Sequence, residues 1–219
     1  MYYKEWIKTR WYLLLALLTL VGFTGYSVLR FYRALDLKGA QHLWEVMLTR
    51  DAIFVDMLTY IPALIGLILA VVQFVPEMHR KCLKLTLHLP CSHLRMLYEM
   101  LSYGVVALLI IFGISFLMIY IFLNGPLAPE LCSHVLLTTL PWYLAGLAAY
   151  LLISWICLEP TWKMRIFNLI VSLLILRIFF LSTTPEAYNS FLPGLAVFTL
   201  LIATFSALSV LRFKEGKQD

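Results

Sequence analysis

The chain has 219 residues, of which 62% are apolar and 13% charged, with a mean hydropathy of +0.88 and a formal net charge of +5. Soluble domains are about 45–50% apolar and ~25% charged, so a soluble protein is excluded. The cationic excess on so apolar a chain points to anionic lipid as the electrostatic partner, not to nucleic acid.

The first ten residues, MYYKEWIKTR, set Tyr2, Tyr3 and Trp6 among Lys4, Lys8 and Arg10. No small-residue cleavage site follows, so they do not read as a secretory signal. They read as an interfacial elbow helix, with rings in the headgroup layer and cations on lipid phosphates. Six uncharged or nearly uncharged runs come next, at 11–29, 52–75, 100–123, 135–158, 166–181 and 188–211. A membrane helix needs ~20 predominantly apolar residues, and backbone groups in lipid must bond within their own segment. The expected fold is therefore an all-α membrane protein, one domain over 1–219 with six transmembrane helices. The fifth run is the shortest and carries Arg177 near its end.

Orientation follows from the cations. An inside N-terminus places Lys4, Lys8 and Arg10, then Arg80, Lys81, Lys84 and Arg95, then Lys163 and Arg165, then Arg212, Lys214 and Lys217 on the cytoplasmic side. The positive-inside rule thus predicts both termini in the cytoplasm. The outer loop 33–51 is expected to hold a short amphipathic helix, with His42 and Glu45 on one face. Of the four cysteines, Cys82 and Cys91 fall on the reducing side and Cys132 faces outward, so no disulfide framework is expected.

Between the second and third runs stands PEMHRKCLKLTLHLPCSH, from Pro76 to His93. Met78, Cys82, Leu85 and Leu89 recur at helical spacing, and Pro90 stops the helix. The expectation is a short amphipathic helix over 77–89 at the cytoplasmic surface. His79, Cys82, His88, Cys91 and His93 are chemically competent metal ligands, but their spacing matches no standard zinc motif, and Pro90 interrupts the backbone between the two pairs.

Glu77, Pro90 and Ser92 carry a resemblance to the ABC-2 family of ABC-transporter permeases, in which a glutamate, a coupling helix, a proline and a small hydroxyl residue follow one another at this spacing. Where many members carry Gly-Thr this chain has Lys81 and Cys82, and where an arginine is common it has His93. The resemblance implies a coupling helix, with Glu77, Cys82, Leu85, Leu89, Pro90 and Ser92 engaging a separate ABC ATP-binding subunit. It further implies a second permease subunit, the same or related, in a bacterial cytoplasmic (inner) membrane, with ATP-driven transport, mostly export. No cofactor is expected on this chain, with ATP and Mg bound by the partner. The chain has no phosphate-cradling P-loop, since its Gly216-Lys217 pair precedes Gln218.

Other candidates are weighed on the same residues. Gly113-Ile114-Ser115 is the nearest approach to a serine nucleophile, with His134 as its only companion, and H-E-x-x-H is absent. Asp56 and Arg177, at similar predicted depth, form either an intramembrane ion pair or a substrate contact. Pro62 and Pro141 lie inside predicted spans. Gly22 and Gly25, Gly66, and Ala145, Gly146, Ala148 and Ala149 permit close helix approach. Glu159 and Pro160 begin a second cytoplasmic turn, a further contact for the ATPase. The segment 182–193 has room for a turn or two of helix. The alternative to a permease is a membrane scaffold or metal-handling component that uses the His/Cys segment.

Overall fold

The structure, a computed structural model, describes residues 2–50, 54–79, 93–182 and 184–214. Seven α-helices are present among them: α1 Tyr2–Lys38, α2 Ala40–Arg50, α3 Ile61–His79, α4 His93–Leu123, α5 Pro129–Leu158, α6 Trp162–Ile178 and α7 Leu192–Lys214. Short 3-10 turns at Asp56–Leu58 and Asn189–Phe191 precede α3 and α7. No strand occurs among the described residues. The protein is an all-helical, multi-pass membrane protein; among the described residues five segments are long and apolar enough to cross a bilayer, in α1, Asp56–Met78, α4, α5 and Asn189–Val210.

The elbow is the first correction. Residues 2–38 form one uninterrupted helix of about 55 Å at 1.5 Å per residue, so the first ten residues are not a separate helix. The reason is a single buried stripe, in which Glu5, Thr9, Leu13, Ala16, Leu20, Thr24, Ser27 and Phe31 recur every three or four residues. Its polar first members lie on the same face as the apolar ones and pack on the same neighbours.

α5 is the central helix, packed most extensively on α3 and then α7, with α4 and α6 on other sides. α1 lies mainly along α4. The close approach of α3 and α5 rests on two glycines. A Cβ on Gly66 would stand 2.0 Å from the Gly146 carbonyl oxygen, and one on Gly146 would stand 2.7 Å from the Pro62 carbonyl oxygen and the Phe112 ring. Small residues let membrane helix backbones approach where side chains would hold them apart. Around Gly22 nothing stands within 4 Å, and a Cβ on Gly25 would meet only the Met118 side chain at 3.6 Å, so neither forces a close backbone approach within the chain.

α6 spans 17 residues, about 25 Å, short of the ~30 Å hydrocarbon layer. It packs chiefly on α5, burying Asn168 and Ser172 while Ile166, Phe167, Leu169, Ile170, Leu173 and Leu174 stay exposed. Polar inside and apolar outside is the pattern of a helix facing lipid, where an unpartnered polar group costs several kcal/mol. Pro62 falls in the first turn of α3, where a proline costs no backbone bond, so it breaks no helix; Pro141 lies inside α5 as expected. The expected outer helix is α2, which buries Met47 and leaves Trp44 exposed.

Candidate functional site: a buried charge cluster beside the last turn of α3

Glu77 stands in the last turn of α3, at the end of the bundle opposite Asp56. Its residue is 2% exposed, and its carboxylate meets two lysines of α1: Lys8 Nζ at 2.7 Å and Lys4 Nζ at 2.9 Å, both on Oε1. Lys8 also reaches Glu5 Oε2 at 2.9 Å and the Gln73 carbonyl oxygen at 3.4 Å. Glu77 therefore faces α1, with its carboxylate paired inside the bundle to Lys4 and Lys8. Lys4 and Lys8 likewise face carboxylates rather than lipid phosphates.

A hydrogen-bonded network continues inward from these charges. Gln73, fully buried one turn before Glu77, donates Nε2 to the Met100 carbonyl oxygen of α4 at 2.9 Å. Its Oε1 accepts from Tyr150 Oη of α5 at 2.8 Å. Thr9 and Tyr103 join their hydroxyls at 2.7 Å across α1 and α4, and Tyr2 bonds Ser102 at the same distance. Four helices thus meet on one polar layer. The charges balance, with two lysines against two glutamates, but Glu77 Oε2 and both Glu5 carboxylate oxygens are buried without a hydrogen bond, Glu5 Oε2 meeting Lys8 as an ion pair alone. Such an arrangement fixes the relative position of α1 and α3 and resists separating them, because each carboxylate would be left uncompensated in a region of low dielectric.

A second knot joins three helix ends. Glu159, fully buried just after α5, accepts from Ser209 of α7 and from Asn168 of α6 at 3.4 Å, and lies 3.5 Å from Arg212 Nη1. Arg165 Nε donates to its backbone carbonyl at 2.7 Å. The turn expected to touch a partner is therefore turned inward at Glu159. Deeper in the bundle, Ser115 bonds both Thr24 at 2.8 Å and Tyr143 at 2.9 Å. It is a helix-joining hydroxyl, and no bond links it to His134.

The expected pair of Asp56 and Arg177 does not form. Asp56 lies in the 3-10 turn before α3, its side chain 59% exposed, and bonds Arg30 Nη1 of α1 at 3.0 Å. Arg177 is exposed at the end of α6. The reason is helix order: α1 runs beside the start of α3, whereas α6 packs chiefly on α5.

Cys82, Leu85, His88, Leu89, Pro90, Cys91 and Ser92 lie outside the described residues, as do the side chains of His79 and His93. The expected coupling helix and metal ligands thus lie outside the described residues. Cys132 and Cys157 are free thiols. Sequence reasoning passed over Glu5, Gln73, Tyr103 and Tyr150. The available signals were a Glu-Lys pair three apart at Glu5 and Lys8, in register with the buried stripe of α1, and a lone amide, Gln73, in an otherwise apolar run. No known protein family, curated protein or solved structure matches this chain.

Proposed function

We propose that the chain is the permease subunit of an ABC-2-type transporter. In this reading six spans, with α6 as the short fifth, place both termini in the cytoplasm. Two such subunits enclose a path in a bacterial inner membrane and move a substrate outward, driven by separate ATP-binding subunits that carry ATP and Mg. One observation carries the reading: the Glu77 cluster ties the last turn of α3, immediately before residues 80–92, to α1 through Lys4 and Lys8. Gln73, one turn back, extends the tie to α4 and α5. A force applied to 80–92 by an ATPase would pass into four helices together. A loosely held α3 would bend and dissipate it.

The test is a native pull-down of the tagged chain from its own membranes, with mass spectrometry and stoichiometry. Beside it runs a variant with Leu85→Asp and Leu89→Asp, which alters the intervening segment and leaves the Glu77 cluster intact. Recovery of an ATPase in equal numbers with the natural chain, lost with the variant, is the expected result. Absence of an ATPase from both samples overturns the proposal.

A further inference from the structure

At the end of the bundle opposite Glu77, a cavity of about 320 Å³ opens between the start of α3, the first half of α5 and the loop joining α6 to α7. Its volume lies at the low end of the ~300–1,000 Å³ common for small-molecule sites. Tyr60, Trp142, Phe180 and Tyr188 wall it, and Thr59, Thr138, Ser182 and Thr184 supply hydroxyls. The Tyr60 and Phe180 rings pack 5.1 Å apart. The cavity is braced from both sides. Tyr188 Oη accepts from the Leu181 and Ser182 amides and donates to the Ile178 carbonyl, closing the loop on itself. The Glu186 amide donates to Thr138 Oγ1 at 3.3 Å, fastening that loop to α5.

Among the described residues two carboxylates line this cavity, and no lysine, arginine or histidine does. Asp56 is neutralised by Arg30 from behind. Among the described residues Glu186 meets a neutral donor, Asn189 Nδ2 at 2.8 Å on Oε2, and no cation. A negative charge beside aromatic walls matches one ligand chemistry. Aromatic rings carry negative quadrupoles on their faces that attract a cation, and the carboxylate adds a direct counter-charge.

We infer that this cavity binds an organic ammonium group, either on a free small molecule or on a lipid headgroup, with Glu186 as its counter-charge and Tyr60 and Trp142 as its walls. The inference stands apart from the permease reading, since it rests on the opposite end of the molecule.

The test uses the full chain, purified in a maltoside detergent free of ammonium groups, and calorimetric titration with choline and with its neutral isostere 3,3-dimethyl-1-butanol. Saturable binding of choline at least tenfold tighter than of the alcohol supports the site. Glu186→Gln is expected to weaken choline binding at least tenfold while leaving the thermal unfolding temperature unchanged, and Tyr60→Leu to weaken it severalfold. Lysophosphatidylcholine in a parallel titration distinguishes the sources: tighter binding than choline assigns a lipid headgroup, and weaker binding assigns a free ammonium compound. Equal binding of the alcohol, absence of choline binding, or indifference to Glu186→Gln overturns the inference.

Discussion

Replacing Lys8 with methionine removes the one cation that touches both buried carboxylates of the Glu77 cluster while keeping the length and apolar body of the side chain. Lys4 remains on Glu77 Oε1, but Glu5, fully buried, loses the one counter-ion it has among the described residues. Removing one partner of a buried ion pair costs about 3–5 kcal/mol, because the other charge stays desolvated and uncompensated. The Lys8 side chain keeps 22% of its exposure, so water reaches the cluster, and the lower end, about 3 kcal/mol, is expected. That corresponds to roughly a hundredfold loss in the folded-to-unfolded ratio. Reversible unfolding in mixed micelles of a mild detergent and dodecyl sulfate, followed by far-ultraviolet circular dichroism, measures it. The discriminating arm is the double variant. Glu5→Gln alone is expected to destabilise, whereas in the Lys8→Met background it restores about 1 kcal/mol or more by removing the stranded charge. A Lys8→Met loss below about 1 kcal/mol, or additive effects of the two substitutions, refutes the claim that the cluster is one buried electrostatic unit.

Four further outcomes are expected. Gly66→Ala places a methyl against the Gly146 backbone and is expected to cost about 3 kcal/mol in the same unfolding assay, whereas Gly22→Ala, with open space around it, leaves stability unchanged or slightly raised. Tyr150→Phe strands Gln73 Oε1 at a cost of about 1–3 kcal/mol, and adding Gln73→Leu costs less than the two changes summed. Glu159→Ala leaves Ser209, Asn168 and Arg212 without their shared acceptor, so amide hydrogen exchange should accelerate at the start of α6 and the end of α7. Asp56→Asn breaks only an exposed pair and is expected to change stability by less than about 1 kcal/mol.

Membrane residence and helicity were legible in the sequence because both are properties of short windows of chain. A run such as 100–123 is too apolar for water, and only a helix bonds its own backbone in lipid. The α3–α5 seam was partly legible too: Gly66 and Gly146 stand out as the small residues that let two helices touch. The pairing of charges was not. Lys4, Glu5 and Lys8 read locally as an interfacial segment, since nothing within ten residues says that their side chains face Glu77, 69 positions beyond Lys8. Asp56 and Arg177 share a predicted depth, yet depth is one coordinate. Which residues meet also depends on each helix's rotation about its axis and on its neighbours, and these are set by the packing of all the helices at once. Tertiary structure therefore decided that Asp56 meets Arg30, that Glu159 turns inward, and that the cations of the first turns of α1 lock α3.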